Sequence, residues 1–355
     1  MTSAGISGPI RSTIVGSLPK PAWLAVGGIL QAPWKVGDAD LAEAQADASR
    51  LSVADQMSAG LDVVTDGEQD RRHYIWAFLD GVDAVDTVNL AMKPTRGQRF
   101  KQEAPVARLV GHPLYPEPRL VKSLLALRAL TDRPIKVTLP GPMTIVDSVL
   151  DTAGQYAPAD LAMLFAEMLN REARALAAAG AAVVQFDDPC LNIYLADAEE
   201  WGVAALERAA HGVQTTTGVH ICYGYGGPEV AAWKASNRDW SHYEHILALV
   251  ARTDIDQVSI ETAASKVDIG VLDLLRGKDV LLGLCDVGTE RVETPQDIAA
   301  GLRRALSYVA PEKLFACTDC GLVLRSRQAA TAKMRALSGG AAIVNRELSC
   351  SATPT

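Results

Sequence analysis

A chain of 355 residues, 48% apolar and 21% charged, has ample material for a large core, which excludes a disordered polymer. A net charge of −8 without any Lys/Arg block argues against a grip on nucleic acid or anionic lipid, and six sparse cysteines do not form the dense disulfide framework of a small secreted domain. No run of about 18 uncharged apolar residues occurs, and residues 1–10 lack the basic start and apolar core of a signal peptide, so the expectation is a soluble, cytoplasmic protein with reduced thiols and a small-molecule partner.

Along the chain, short β-branched runs alternate with long stretches rich in Ala, Leu, Glu and Arg, the pattern of strands and helices around a parallel sheet. Eight strands are predicted, at residues 12–16, 61–65, 134–139, 182–186, 218–221, 256–260, 279–284 and 314–316. Eight is the number that closes a βα barrel. The connection 67–133 is longer than a barrel needs, and β-type alternation over 85–110 around Gly97 predicts a hairpin laid over the barrel mouth. A helix is predicted over 159–179, where Leu161, Leu164, Phe165, Met168, Leu169 and Leu176 recur at helical spacing before Gly180 stops it. Residues 223–243, rich in Gly, Tyr and Trp, form a second long connection suited to a lid or binding element. Thr294 and Pro295 then cap and open a helix that continues over 298–309. The expected fold is α/β, a (β/α)8 TIM barrel with long insertions after its second and fifth strands. It occupies residues 1–348 as a single domain, and 349–355 read as a disordered tail.

In such a barrel the active site stands at the carboxyl ends of the strands. Those positions are polar here: Gly16-Ser17, Asp66-Gly67-Glu68, Asp187-Asp188, His220-x-Cys222, Glu261, Asp286 and Asp319-Cys320. Residues two apart on a strand face the same side, so His220 and Cys222 can share a metal. Alone, the pair reads more readily as a core histidine beside a small buried thiol. With Glu261 and Cys320 on neighbouring strands it becomes two thiolates, an imidazole and a carboxylate, a tetrahedral zinc set. Cys317-x-x-Cys320 admits a redox pair or half a structural zinc site, but no second pair accompanies it, and a separation of three points the two side chains to opposite faces. Two thiolates neutralise Zn2+ and leave it able to hold an incoming thiol as thiolate, while a displaceable carboxylate opens a position. Glu68 and Asp187 suit the α-ammonium group of an amino-acid thiol, and Ser17 with the backbone N–H groups beside Gly16 suits its α-carboxylate.

Seven stretches carry a resemblance: Val15-Gly16-Ser17, Thr65-Asp66-Gly67-Glu68, Leu139-Pro140-Gly141-Pro142-Met143-Thr144, Gln185-Phe186-Asp187-Asp188-Pro189, Val219-His220-Ile221-Cys222, Ser259-Ile260-Glu261-Thr262 and Thr318-Asp319-Cys320-Gly321-Leu322. In order and in strand position they resemble the catalytic barrel of the cobalamin-independent methionine synthase family, across nearly the whole chain. The resemblance implies His220, Cys222, Glu261 and Cys320 as zinc ligands, Ser17, Glu68 and Asp187 as the homocysteine site, and methyl transfer to homocysteine as the activity. The openings at Gly16–Trp23 and His220–Tyr225 look like a short bacterial branch, since the long enzymes carry a second, amino-terminal barrel for which 355 residues leave no room.

Three positions depart from the family pattern. Where the family carries a proton-donating histidine in an Asp-x-His segment after the seventh strand, Asp286-Val287-Gly288 places glycine, leaving Asp286 as the only candidate acid there. A methyl group on a folate nitrogen needs its leaving amine protonated, so the methyl donor is open between methyltetrahydrofolate, a methylated corrinoid or another carrier, with a helper protein as a further partner. The folate-stacking tryptophan is absent from Ile145-Val146-Asp147-Ser148, and Tyr223, Tyr225, Trp233 and Trp240 are the aromatic residues that can substitute. Asp188 stands where many relatives have glutamate. Two other functions compete: alkyl transfer to another thiol such as coenzyme M, against which Glu68 and Asp187 argue because carboxylates repel a sulfonate, and a non-catalytic accessory subunit of a methyl-transfer complex.

Overall fold

A computed structural model describes residues 8–99, 103–225 and 227–351. Ten strands are present: β1 (Arg11–Ser12), β2 (Asp83–Pro94), β3 (Glu103–Leu114), β4 (Lys136–Pro140), β5 (Val149–Asp151), β6 (Val183–Asp187), β7 (Thr216–Ile221), β8 (Gln257–Glu261), β9 (Asp279–Cys285) and β10 (Leu314–Thr318). Seven of them form a curled parallel sheet in the order β1-β10-β9-β8-β7-β6-β4. Strands β4, β6 and β8 are buried at every position, and polar residues such as Lys136, Thr138, Gln185, Asp187, Gln257, Ser259 and Glu261 are interleaved with the apolar ones along them.

The first two predicted strands are shorter than expected because side chains take over the ladder bonds. Val15 N–H donates to Thr318 Oγ1 at 3.1 Å instead of to a carbonyl. Asp62 Oδ2 accepts the N–H and hydroxyl of Ser12 at 2.7 and 2.8 Å, and the Gln56 amide serves both the N–H and the C=O of Thr65 at 2.9 and 2.8 Å. Residues 61–65 therefore register as a single parallel bridge, Val64 to Ile135. Their backbone nevertheless bonds in both directions, Asp62 and Val63 N–H to Ser12 O at 3.0 and 3.1 Å and Val64 N–H to Pro134 O at 3.0 Å.

Inside the sheet, Val15, Val63, Leu281, Phe315 and Cys317 form a small apolar cluster. The large core lies outside, between sheet and helices. The helix Pro158–Ala178 buries Leu161, Phe165, Met168, Leu169 and Leu176, as its spacing predicts, and ends at Gly180, whose φ of 92° is left-handed. Thr294 and Asp297 close a capping box at the start of Pro295–Ala305.

The predicted hairpin is β2 and β3, antiparallel, with β5 added in parallel to make a separate three-stranded sheet. Its turn carries Arg96 and Gly97, both left-handed at φ of 54° and 59°. The connection 223–243 contains a helix, Pro228–Ser236. At the carboxyl end the helix Arg327–Ser351 continues through residues 349–351, where the sequence reading began a tail. Val344 and Asn345 are buried in the core there, and the hydroxyls of Ser349 and Ser351 bond back to Asn345 O and Glu347 O. Residues 352–355, like 1–7 at the other end, lie outside the described residues. Among the described residues no helix is long and apolar enough to cross a membrane.

Because Leu169 is fully buried and Met163 on the same helix is 40% exposed, Leu169→Ala should lower unfolding stability by about 2–5 kcal/mol and Met163→Ala by less than about 0.5 kcal/mol. Urea denaturation of the two variants checks this.

Candidate metal and substrate site

The register of the parallel strands decides which strand-end residues meet. Asp187 on β6 is paired with His220 on β7, and His220 with Ser259 on β8. Cys222 follows the end of β7 and Cys320 the end of β10. His220, Cys222 and Cys320 are all buried, and one ligand atom of each lies within 4.8 Å of the other two. The two sulfurs stand 3.6 Å apart as free thiols, close enough to share an ion and too far for a disulfide. The Cys320 thiol hydrogen-bonds Cys222 and holds its pKa well below the usual thiol range, while that of Cys320 is raised. His220 Nδ1 bonds with Ser259 Oγ at 2.9 Å, which fixes the ring and leaves Nε2 buried without a partner. Two sulfurs and an oriented, orphaned imidazole nitrogen fit a zinc ion.

Glu261, the fourth residue of the expected set, is fully buried but stands outside that trio. Lys234, from the helix Pro228–Ser236, donates to its Oε2 at 2.9 Å and lies at the same distance from Oε1. The N–H of Tyr223, next to Cys222, donates to Oε2 at 3.2 Å. Burial raises the Glu261 pKa and the Lys234 ammonium opposes that rise. Asp319 organises the turn that follows Glu261 by accepting the N–H groups of Thr262, Ala263 and Ala264 at 3.0, 2.9 and 2.7 Å.

The expected substrate residues are gathered beside the trio. Gln185 Nε2 donates to Asp187 Oδ1 at 2.7 Å, and Gln185 Oε1 accepts from the buried Lys136 ammonium at 2.9 Å, so a chain inside the barrel orients the carboxylate. Glu68 sits at a left-handed φ of 56° in a loop held by the buried pair Arg71 to Asp66 at 2.6 Å. Its Oε1 accepts from Thr138 Oγ1 at 3.1 Å. Gly16 makes room for it, since a Cβ there would lie 3.0 Å from Glu68 Oε1. Ser17 Oγ is buried with no partner. Burial, with Asp187 nearby, lifts Glu68 to about 7 against the pull of Arg71; burial lifts Asp187 to about 6 against His220.

A cavity of about 310 Å3 opens on this group. Asp187, His220, Cys222 and Cys320 line one side, and His73, Tyr74, Arg96, Tyr225, Val230 and Leu324 are among the residues of the other. Gly16, Ser17 and Glu68 are not among its lining residues. The hairpin tip reaches the mouth as expected, through Arg96, which is clamped by Asp147 Oδ2 and Cys190 Sγ at 2.7 Å each. Of the four loop aromatics, Tyr225 faces the cavity. Tyr223, Trp233 and Trp240 pack on one another at centroid distances of 5.1–5.9 Å, with the Arg99 guanidinium 4.4 Å from the Trp233 ring, so their work is to anchor the loop.

Asp286 is not brought to this group. With Gly288 it lines a different cavity of about 220 Å3, and the helix Pro228–Ser236 stands between, Val230 touching both spaces. Asp188 caps the helix Pro142–Asp147 by accepting the N–H groups of Met143 and Thr144. Cys317 points into the inner apolar cluster, away from Cys320. Lys234 was not singled out in the sequence, where a lysine between Trp233 and Ala235 carries no motif. His73 was likewise missed.

Residues 10–342 match the family described as cobalamin-independent synthase, catalytic domain. A methionine synthase of Saccharolobus islandicus is 30% identical over 96% of both chains, and one of Sulfurisphaera tokodaii is 28% identical over 96% of this chain and 94% of its own. The structure of a B12-independent methionine synthase from Shewanella sp. W3-18-1, in complex with selenomethionine, superposes with a TM-score of 0.93 at 39% identity, covering 96% of this chain and 99% of that one.

A carboxyl whose folded pKa is raised favours folding while protonated and loses that advantage as pH climbs from its unfolded value. For Glu68 the loss runs from about pH 4 to about 7. In protein stripped of metal and substrate, Glu68→Gln should therefore be more stable than wild type at pH 8, by roughly 3 kcal/mol, and the difference should vanish toward pH 4. Urea midpoints at the two pH values test this; a pH-independent difference would contradict it.

Proposed function

The chain belongs to the cobalamin-independent methionine synthase family and is an enzyme of that type, and on that premise we propose that it methylates the sulfur of homocysteine with zinc held by His220, Cys222, Cys320 and Glu261. In this reading the backbone bonds of residues 61–65 to both sheet edges close a full (β/α)8 barrel, residues 1–348 are one domain, and the protein works in the cytoplasm, where thiols stay reduced. The observation that carries the proposal is the convergence of two thiols and an orphaned imidazole nitrogen on the cavity that Asp187 lines.

Zinc, when bound, supplies a Lewis-acidic centre that keeps a substrate thiol deprotonated at neutral pH, where a free thiol of pKa about 8.5 is mostly protonated. The chain itself does the rest. Asp187, aimed by Gln185, and Glu68, aimed by Thr138, receive the α-ammonium group, whose positive charge favours their ionised forms. Ser17 Oγ offers a hydrogen bond to the α-carboxylate. Two buried carboxylates disfavour a sulfonate, which places homocysteine ahead of coenzyme M. Selenomethionine, bound by the Shewanella relative, is the selenium counterpart of the expected product.

The donor approaches from the side of Tyr74, Tyr225 and Arg96. No charged imidazole awaits it there: His73 lines the cavity, but burial lowers its pKa to about 3 and its Nδ1 accepts the N–H of Ile75. Together with Gly288 and the remote Asp286, this favours a leaving group that departs without a proton, as from a methylated corrinoid carrier, over unaided methyltetrahydrofolate. A helper protein that presents such a carrier belongs to the same reading.

Zinc-loaded protein should bind homocysteine through sulfur and shift the zinc X-ray absorption edge, and Cys320→Ser should weaken zinc retention by one to several orders of magnitude, about 10–100-fold or more. An edge unchanged at saturating homocysteine overturns the assignment.

A further inference from the structure

Lys234 lies in neither a strand nor a strand end, yet it is only 8% exposed and its ammonium is spent on one partner. A buried ammonium requires a counter-charge. Asp319, the other carboxylate nearby, is already saturated by three backbone N–H groups, so the lysine's charge is directed at Glu261. The helix that carries Lys234 is pinned by the packing of Trp233 against Tyr223 and Trp240, and the Tyr223 N–H fixes the same carboxylate one residue from Cys222. Glu261 thus stands beside the sulfur trio without belonging to it, its Oε2 bonded by Lys234 and the Tyr223 N–H and its Oε1 2.9 Å from the Lys234 ammonium without a hydrogen bond of its own.

We propose that Lys234 is a positioning residue that holds the Glu261 carboxylate beside the zinc site and takes it back when a substrate thiol occupies the fourth position. The inference rests on the zinc and homocysteine reading above. Without the lysine, a carboxylate released from the ion would stay buried and unpaired, so it would keep its place on the metal and exclude the thiol. With the lysine, release exchanges one ionic partner for another. Lys234 belongs to the 223–243 connection and not to the strands of the sheet.

Lys234→Met in the full chain, with Lys234→Arg as the charge-conserving control, separates this role from a structural one. Zinc affinity by competition with a chromophoric chelator should be unchanged or tighter in Lys234→Met, while homocysteine affinity of the zinc-loaded protein, measured by calorimetry, should fall about tenfold or more, as expected for a buried charge left alone. Lys234→Arg should restore most of the thiol affinity. Equal homocysteine affinity in Lys234→Met and wild type overturns the inference and leaves the functional reading standing. Parallel loss of zinc, thiol and melting temperature in both variants overturns it in favour of a structural pin. Wild-type protein that binds zinc but no homocysteine overturns the functional reading and the inference with it.

Discussion

Charge pairing out of reach of water governs the mouth of this sheet. Asp66, Glu68, Asp187, Glu261 and Asp319 are all buried there, and an unpaired carboxylate in such a place is costly. Arg71 takes Asp66, Lys234 takes Glu261, and backbone N–H groups take Asp319. Glu68 and Asp187 accept side-chain hydrogen bonds from neutral donors, Thr138 and Gln185, and burial raises their pKa values as it raises those of Asp66, Glu261 and Asp319. Among the buried groups left without a hydrogen-bond partner are the Ser17 hydroxyl, His220 Nε2 and Glu261 Oε1.

The two long connections supply what the parallel strands do not. The hairpin of β2 and β3 delivers Arg96 to the cavity with its guanidinium clamped between Asp147 and Cys190, and the helix Pro228–Ser236 delivers Lys234 and the wall formed by Val230. The same helix separates Gly288 and Asp286 from the thiol side. Val230 on that helix lines both spaces, whereas Gly288 and Asp286 line only the one that lacks the sulfur trio.

Legibility in the sequence followed the range of the interaction. His220-x-Cys222 is a local pattern, two residues on one face, and the trio with Cys320 is where the strand reading placed it. Cys317 lies on β10 and packs in the inner apolar cluster, whereas Cys320 lies past the end of that strand, after a shift of register between Cys317 and Thr318 that strand alternation does not predict. The shortened strands at 12–16 and 61–65 were not legible, because Asp62, Gln56 and Thr318 replace ladder partners from distant positions. Nor were the roles of the loop aromatics: Tyr225 faces the cavity, whereas Tyr223, Trp233 and Trp240 serve one another, and nothing in their spacing distinguishes the two fates.

The sequence by itself determined the alternation of strands and helices, the strand ends that carry polar residues and the thiol-imidazole chemistry available among them, because periodicity and residue type act over a few positions. Only the tertiary structure decided that Glu261 turns toward Lys234, that Asp286 belongs to another cavity, that Asp188 caps a helix and that His73 lines the cavity with its pKa lowered by burial. Glu261 and Asp188 depend on partners remote in the chain, Lys234 and the N–H groups of Met143 and Thr144, and His73 on its burial, so that desolvation and pairing, rather than local pattern, set the charge and direction of a side chain.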